Sequence, residues 1–372
     1  MRPKHWDIFC RIVDNFGDIG VCWRLARQLA DEHGLHVRLW VDDLIVAQRL
    51  LPTINPELPQ QPLGGVTIAH WTADFAVDSV AEVVIEAFAC ELPDDYILAM
   101  VAKPPIWINL EYLSAETWVE AFHQQPSPHP RLALKKTFFF PGFTTLTGGL
   151  LRENDLIKHR DHYQQAMTET GNEVPLLETP LRVSLFAYPQ ANIATLLASM
   201  AENDRPVLCL VPESSLLPLI RSFFQDDTLQ AGEQRTQGAL TVSILPFLSQ
   251  VEYDQLLWSC DLNFVRGEDS WIRAIWTGRP FVWQPYIQAE DTHITKLQAF
   301  LERYLPGLEP EAAKTWHRFH HDWAQSRLSP DSWHQLSHAL PAIQNHTIQQ
   351  ALTLAEQADM ASQLIIFVRN FQ

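Results

Sequence analysis

The alternation of short apolar runs with amphipathic helical patterns constrains the fold of this chain more than any other feature. Residues 7–13 (DIFCRIV) predict a strand, residues 21–33 (VCWRLARQLADEH) a helix, and residues 36–41 (HVRLWV) a second strand. The rhythm restarts after residue 180, where strand patterns such as PVLCLVP and LTVSILPF alternate with helical patterns such as NIATLLASMAE and QVEYDQLLWSC. Such alternation is typical of a parallel sheet covered by helices. We therefore predict an α/β fold with two parallel-sheet domains.

Further elements follow from the same patterns. Strands are predicted at residues 83–88, 105–110 and 137–140, and the proline-rich stretch 125–130 (QPSPHP) is predicted to be a loop. From residue 291 onward the pattern is almost entirely helical. The last apolar piece, residues 360–371, needs a partner surface on which to bury its apolar face.

The length and composition indicate two globular domains. A chain of 372 residues suits two domains of roughly 150–200 residues each. Because 47% of the residues are hydrophobic, each domain can bury a core, which excludes a disordered or fibrous chain. We expect an N-terminal domain at 1–155, an interdomain connection at 156–180 and a C-terminal domain at 181–352. The helix at about 353–372 is expected to pack back on the N-terminal domain.

Charge and cysteine usage narrow the function further. The 44 acidic and 27 basic residues give a net charge of −17, which disfavours a general nucleic-acid surface because such surfaces neutralise phosphates. The five cysteines are scattered without a CxxC pair, so neither disulfides nor a zinc site are expected. Without a signal-peptide pattern or a long apolar run, a cytoplasmic protein with no membrane partner is expected.

The first candidate site is the segment 14–20 (DNFGDIG), which joins the first predicted strand to the first helix. Its glycine spacing lacks the GxGxxG pattern, which disfavours a dinucleotide-binding dehydrogenase. Asp14 and Asp18 flank the turn, where a carboxylate can act as a base or orient a cationic substrate. The structural alternative is that Asp18 caps the helix and Asp14 forms an Asx-type turn. An exposed Phe16 would favour the functional interpretation.

The second candidate site is the segment 266–270 (RGEDS), between a predicted strand and a helix. Asp269 or Ser270 is the expected N-cap, and the helix N-terminus with Arg266 suits a diphosphate. Glu268 is a third carboxylate expected at the same edge of the sheet. An ordinary capped helix with a surface Arg–Glu pair is the structural alternative.

Aromatic residues near two strand ends give a third signal. Phe186 and Tyr188 follow one strand, and Phe247 follows another, with Gln250 and Tyr253 close behind. These residues could stack on a nucleotide base and bind its edge, or they could simply belong to the core. The three histidines at 317, 320 and 321 are predicted not to bind a metal, since their spacing is poor and no carboxylate accompanies them.

Several long segments carry a family resemblance. They are FCRIVDNFGDIGVCWRLARQLA, INLEYLSAETW, FFFPGFTTLTGGLLRE, SLFAY, LPFLSQVEYDQLLW and CDLNFVRGEDSWIRAIWTGRPFVWQPY. Together they resemble the protein-arginine rhamnosyltransferases that mature bacterial elongation factor P, the EarP family. The similarity runs from residue 7 to about residue 301.

The resemblance implies a GT-B glycosyltransferase, with two Rossmann-like domains facing across a cleft and a helical C-terminal tail. The implied donor is dTDP-β-L-rhamnose, bound by the C-terminal domain. The implied acceptor is one arginine of elongation factor P, recognised by the N-terminal domain and modified on a guanidinium nitrogen with inversion at the sugar. The modified factor would rescue ribosomes stalled at polyproline. No cofactor and no metal are expected.

The resemblance also assigns roles to individual residues. The thymine pocket would contain Phe186, Phe247 and Gln250, with Tyr253 at a position where relatives often carry phenylalanine. The diphosphate would be held by Tyr188, Arg266, Asp269 and Ser270. The essential acids would be Asp14, Asp18 and Glu268, and the loop facing the acceptor would include Asn15, Phe16 and Gly17.

Guanidinium chemistry explains why several carboxylates are needed. The guanidinium is planar, charged and a poor nucleophile, so one carboxylate must orient it while another accepts its proton. Our hypothesis makes Asp18 the base and gives orientation to Asp14 and Glu268, with Asp14 as the alternative base. Two other functions stay open on the sequence: a GT-B transferase with a small-molecule acceptor, and a non-catalytic adaptor that binds nucleotide sugars.

Overall fold

The computed structural model describes residues 3–13, 16–72, 77–170 and 179–371. The chain divides into two compact units. The first unit contains Met1–Asn154 and Ala355–Gln372, and the second contains Asp155–Leu354. Both units are α/β structures, which confirms the predicted fold class.

The first unit is built on an eight-stranded sheet with the order β3-β4-β2-β1-β5-β6-β8-β7. Its strands are β1 (His5–Cys10), β2 (His36–Val41), β3 (Gln60–Leu63), β4 (Val66–His70), β5 (Val83–Ala87), β6 (Ile106–Leu110), β7 (Pro126–Pro128) and β8 (Lys135–Phe139). The outermost strands β3 and β7 pair antiparallel with their neighbours, and the remaining pairs are parallel. The helices are α1 (Gly17–His33), α2 (Leu44–Leu50), α3 (Asp94–Ala102) and α4 (Trp118–Phe122).

The second unit is built on a six-stranded sheet with the order β11-β12-β10-β9-β13-β14, in which only the β11–β12 pair is antiparallel among the described residues. Its strands are β9 (Leu181–Leu185), β10 (Val207–Pro212), β11 (Gln234–Gln237), β12 (Leu240–Leu245), β13 (Leu262–Arg266) and β14 (Phe281–Gln284). Its helices are α5 (Leu156–Thr170), α6 (Ile193–Ala201), α7 (Leu217–Phe224), α8 (Gln250–Ser259), α9 (Asp269–Thr277), α10 (Thr292–Tyr304), α11 (Pro310–Ala324) and α12 (Pro330–Ala355). The final helix, α13 (Met360–Asn370), belongs to the first unit.

The first strand ends earlier than the sequence predicts. The pattern DIFCRIV predicts a strand to Val13, whereas β1 ends at Cys10. The backbone N–H groups of Ile12 and Val13 donate to the carboxylates of Asp42 and Asp18, at 2.9 and 2.8 Å. Because these N–H groups bond to side chains, the backbone leaves the sheet before Val13.

Two other boundaries also differ from the prediction. Helix α1 begins at Gly17 and not at Val21, and the N–H of Gly20 already donates to the carbonyl of Phe16 at 2.8 Å. The predicted loop at 125–130 contains the short strand β7, which pairs with β8. Prolines at both ends of β7 are tolerated because it is an edge strand.

Tryptophan side chains form part of the core of the second unit. Trp271 stacks on Trp283 with ring centroids 3.6 Å apart, and both residues contact the ring of Phe300. Trp316 is fully buried and donates its indole N–H to the carbonyl of Phe281 at 2.8 Å. These contacts fix α9 and α11 to the strand β14, whose carboxyl end leads towards the candidate site.

The last helix packs on the elements that precede residue 155. The Gln28 amide donates to the Asp359 carboxylate at 3.0 Å, and Arg152 donates to the carbonyl of Ala355 at 2.6 Å. Gly149 lies at φ +71°, and a Cβ added there would stand 2.5 Å from the carbonyl oxygen of Ala358. Glycine is therefore required where the chain passes beneath the start of α13.

Within the described ranges, no helix combines the length and the apolar character that crossing a membrane would require.

Candidate active site

Asp18 lies in the first turn of α1 and is only 2% exposed. Its two oxygens accept hydrogen bonds from opposite sides, Oδ2 from the Val13 N–H at 2.8 Å and Oδ1 from the Tyr112 hydroxyl at 3.1 Å. The structural alternative, in which Asp18 caps the helix, is wrong because Phe16 occupies the N-cap position and makes no side-chain capping bond. The carboxylate instead holds the strand-to-helix loop, and its orientation is fixed by a backbone group and a phenol.

Tyr112 is a site residue that the sequence analysis missed. It follows β6, is 37% exposed, and stacks on the ring of Phe88 with centroids 4.3 Å apart and planes 14° apart. Phe88 follows β5 and has φ +57°, a conformation that bulky residues rarely adopt. Aromatic residues from two neighbouring strand ends therefore lie beside the Asp18 carboxylate. The signal in the sequence was the position of Tyr112, directly after a predicted strand.

The rest of the DNFGDIG segment is only partly described. Asp14 and Asn15 lie outside the described residues. Phe16 and Gly17, predicted to line the acceptor loop, are both half-buried at the start of α1. The exposed Phe16 that would have favoured the functional interpretation is therefore not observed.

In the second unit, Arg266 brings three predicted donor residues together. Its guanidinium carbon lies 4.3 Å from the ring centroid of Phe186 and 4.7 Å from that of Tyr188, and Nη1 donates to the carbonyl of Ala187 at 3.2 Å. This arrangement arises because β9 and β13 are parallel neighbours, so the residues that follow them meet at one edge of the sheet. A cation is thus held against two aromatic rings at the carboxyl ends of the strands.

The remaining predicted base-pocket residues surround Phe186. The ring of Tyr253 meets the ring of Phe186 edge to face at 5.6 Å, and Gln250 donates to the Asp269 carboxylate at 3.2 Å. Phe247 is 40% exposed, so its ring is accessible to a ligand. Burial raises the pKa of the Tyr253 phenol.

The start of helix α9 differs from the expectation. Asp269 and Ser270 were expected as N-caps, but Glu268 occupies that position without a side-chain cap bond. The Ser270 hydroxyl donates to the Arg266 carbonyl and accepts from the Arg266 N–H at 3.0 Å, so it closes the loop instead. Glu268 makes no side-chain cap bond, and the N-terminus of α9 carries the partial positive charge that suits an anion.

The loop before α9 is fixed by β14 and its neighbours. Gly267, at φ +62°, donates its N–H to the Gln284 carbonyl at 3.2 Å and accepts from the Trp283 indole at 2.7 Å. The Gln284 side chain accepts from the Tyr188 N–H at 2.8 Å. Gln284 and Trp283 therefore hold the loop before α9 in place, and Gln284 also holds the backbone at Tyr188. Sequence reasoning missed both residues because their contacts come from the next strand.

Tyr286 is a second residue that the sequence analysis missed. It follows β14, is 46% exposed, and meets the ring of Tyr188 edge to face at 5.8 Å. It therefore extends the row of aromatic side chains along the carboxyl edge of the sheet. Its sequence signal was the tyrosine in WQPY directly after a predicted strand.

A buried ion pair joins the two helices that carry the predicted donor-binding residues Gln250 and Asp269. Arg273 on α9 donates from Nε and Nη2 to the two oxygens of Asp254 on α8, at 3.0 and 2.7 Å. The two side chains are 3% and 7% exposed. This bidentate contact fixes the spacing between the helix that carries Gln250 and the helix that carries Asp269.

A cavity of about 910 Å³ in the first unit lies apart from Asp18. Its lining includes Trp107, Glu86 and Lys136, and the Lys136 ammonium pairs with the Glu86 carboxylate at 3.2 Å. Because Glu86 also accepts the Trp107 indole N–H at 3.1 Å, its charge is already compensated. Among the described residues, the lining of the cavity includes neither Asp18 nor Glu268.

Comparison with known proteins agrees with this architecture. The family model described as "Elongation-Factor P (EF-P) rhamnosyltransferase EarP" matches residues 6–369. The curated protein-arginine rhamnosyltransferase of Pseudomonas putida is 46% identical to this chain, and the match covers 98% of each chain. The enzyme of the same name from Pseudomonas aeruginosa is 42% identical, and the match covers 98% of this chain and 99% of that one.

Solved structures are similar to this chain as well. One described as "Structural basis for EarP-mediated arginine glycosylation of translation elongation factor EF-P" is 34% identical, with a TM-score of 0.67 over 98% of this chain and 99% of that one. Acinetobacter baumannii MurG is 12% identical with a TM-score of 0.54 over 99% and 100% of the two chains, which supports the fold alone.

Two Rossmann-like units, with an arginine, aromatic rings and a helix N-terminus at the strand ends of the second, define a glycosyltransferase of the GT-B class. The chain belongs to the EarP family of elongation factor P rhamnosyltransferases. It is accordingly an enzyme, a protein-arginine rhamnosyltransferase.

Proposed function

We propose that this enzyme transfers L-rhamnose from dTDP-β-L-rhamnose to one arginine of elongation factor P, with inversion at the sugar carbon. The donor assignment rests mainly on the Arg266 cluster, where a guanidinium lies on two aromatic rings beside the N-terminus of α9. The acceptor assignment is supported by the 34% identical solved relative, whose description names arginine glycosylation of elongation factor EF-P.

The second unit supplies the chemistry that a nucleoside diphosphate needs. Phe186, Phe247 and Tyr253 offer aromatic surfaces for the thymine, and the Gln250 amide can bind its edge. Arg266, Tyr188 and the first N–H groups of α9, at Asp269 and Ser270, would hold the diphosphate. Tyr286 would complete this row from the end of β14.

The first unit supplies the proposed base. Asp18 would take the proton from the attacking guanidinium nitrogen as the bond to the sugar carbon forms and the bond to dTDP breaks. Hydrogen bonds from the Val13 N–H and the Tyr112 hydroxyl fix the orientation of the Asp18 carboxylate. Glu268 and Asp14 would orient the guanidinium, and Asp14 is the alternative base.

Charge on the leaving dTDP would be stabilised without a metal. Arg266 brings a full positive charge and α9 a partial one, and both are held in place before the donor binds. We accordingly propose that turnover needs no divalent ion. An enzyme that EDTA inactivates and Mg²⁺ restores would contradict this part of the mechanism.

The base assignment is tested by comparing Asp18→Asn with Asp14→Asn in single turnovers with elongation factor P. We expect Asp18→Asn to bind donor and acceptor normally and to lose at least about 10²-fold in the chemical step. Near-normal turnover by Asp18→Asn, with a large loss in Asp14→Asn, would transfer the role of base to Asp14.

A further inference from the structure

Three large apolar side chains of the first unit are exposed on two adjoining segments. Trp118 and Phe122 lie on α4 and are 47% and 53% exposed, and Leu146 lies in the loop after β8 and is 62% exposed. Single exposed apolar residues are common on protein surfaces, whereas a cluster with polar surroundings is typical of a surface that binds another molecule. These three residues are therefore a candidate interaction surface.

A hydrogen bond and two ring contacts hold these segments together. The Thr144 hydroxyl donates to the Glu120 carboxylate at 3.2 Å, which ties the loop after β8 to α4. The ring of Trp118 meets the rings of Phe122 and Phe140 edge to face, with centroids 5.8 and 5.4 Å apart. Because these contacts exist before any partner binds, the three exposed side chains form a preformed surface, which we call the apolar patch.

The segments that carry the apolar patch have negative charge and no positive charge. Residues 104–130 contain no lysine or arginine and three glutamates, which are Glu111, Glu116 and Glu120. Residues 137–151 contain no charged side chain. Aromatic side chains at the centre and charged side chains at the rim are usual in protein–protein interfaces, and a rim of one sign favours a partner of the opposite sign. The surface therefore suits a basic segment of another protein.

The apolar patch is continuous with the proposed site of transfer. Tyr112, whose hydroxyl donates to Asp18, precedes Trp118 by six residues, so the two Cα atoms are at most about 22 Å apart. An interface of standard size buries about 800 Å² on each partner, which corresponds to a disc about 32 Å across. One interface can therefore cover both the apolar patch and the Asp18 carboxylate.

We propose that the apolar patch, with its rim of glutamates, is the surface on which the acceptor protein docks while one of its arginines reaches Asp18. This inference rests on the function proposed above, in which the acceptor is elongation factor P. A single arginine on a loop offers little area for recognition, so contacts outside the site of transfer select the protein that carries it. Trp118 contributes most, because tryptophan presents a large apolar area with few rotatable bonds.

The test is the affinity of the full-length enzyme for elongation factor P, measured by calorimetry, together with kcat and KM for the transfer. Trp118→Ala and Phe122→Ala should each weaken acceptor binding and raise the acceptor KM at least about tenfold. The kcat and the donor KM should stay within about twofold of the parent values, because the apolar patch does not contact the reacting atoms. Glu116→Gln should make acceptor binding less dependent on the salt concentration.

The chain offers a matched control on another helix of the same unit. Leu98 and Val101 on α3 are 58% and 40% exposed and belong to neither segment of the apolar patch. Leu98→Ala/Val101→Ala should bind elongation factor P as the parent enzyme does. Because Trp118 also contacts Phe140, Leu146→Ala is a second variant that leaves this ring contact in place, and it should weaken acceptor binding at least about threefold.

The outcomes separate this proposal from the proposed reaction. If the parent enzyme binds elongation factor P and the three alanine variants of the apolar patch bind it equally well, the docking proposal is overturned, even where transfer is normal. If those variants lose binding while the parent transfers no rhamnose, docking is supported and the proposed reaction fails. A dimer of the enzyme that Trp118→Ala dissociates in sedimentation velocity, with acceptor binding intact, would assign the apolar patch to a second copy of the chain and overturn the proposal.

Discussion

The buried pair between Arg273 and Asp254 gives the sharpest stability prediction. Replacing Arg273 by methionine leaves the Asp254 carboxylate, whose side chain is 7% exposed, without the guanidinium that donates to both of its oxygens. Breaking a buried pair in this way costs about 3–5 kcal/mol, because a buried charge loses its partner. Replacing both residues, as Arg273→Met/Asp254→Leu, removes the charge as well and should cost clearly less than the single change.

The assay is urea unfolding of the full chain followed by tryptophan fluorescence, with both single variants and the double variant in one cycle. Arg273→Met should also raise the KM for the donor, because α8 and α9 carry Gln250 and Asp269. Lys158→Met, which removes a surface pair with 81% and 61% exposed side chains, is the control and should change stability by no more than about 1 kcal/mol. A loss of less than about 1 kcal/mol in the free energy of unfolding for Arg273→Met would contradict this prediction. The same holds if the losses of the two single variants add up to the loss of the double variant.

Three further predictions follow from single contacts. Tyr112→Phe removes the hydroxyl that donates to Asp18. In steady-state kinetics this variant should lower kcat about tenfold without changing the KM for the donor, and an unchanged kcat would contradict the role of this contact. Gly149→Ala should lower the melting temperature, because its Cβ would stand 2.5 Å from the carbonyl oxygen of Ala358 at a φ of +71°; unaltered melting would show that this passage can relax. Burial lowers the pKa of His123 to about 4, and its Nδ1 accepts the Phe140 N–H at 3.1 Å. As the pH falls below about 6.5, this histidine is protonated in the unfolded chain before it is protonated in the folded chain. The free energy of unfolding should therefore fall by up to about 2 kcal/mol between pH 6.5 and 5. In urea titrations, His123→Asn should show a smaller loss over the same pH range.

The regular elements were largely predictable because their patterns are local. The strand at His36–Val41 has the predicted bounds, and the strands predicted in the second half appear as β9, β10, β12, β13 and β14. The edge strand β11 was not predicted. The predicted end of β1 is wrong because side chains, and not a neighbouring strand, accept the hydrogen bonds of the backbone there. Strand β1 stops at Cys10 because Asp18 and Asp42 accept the N–H groups that follow, and no local pattern contains that information.

The candidate site was predictable in part for the same reason. Residues placed directly after strands, such as Phe186, Tyr188 and Arg266, could be recognised from the strand pattern, and the structure brings them together. Tyr112 and Tyr286 act through rings and hydroxyls that meet residues far away in sequence. Neither Asp18 nor Asp269 caps its helix, because α1 begins at Gly17 and α9 begins at Asp269. The N-cap positions are therefore occupied by Phe16 and Glu268.

The most direct test of the proposed reaction is the intact mass of elongation factor P after incubation with this enzyme and dTDP-β-L-rhamnose, without added metal. We expect a gain of one deoxyhexose, mapped by peptide fragmentation to a single arginine, and no gain with Asp18→Asn. An unchanged mass, in a sample where calorimetry shows that dTDP still binds, would contradict the acceptor or the sugar while leaving the donor pocket in place.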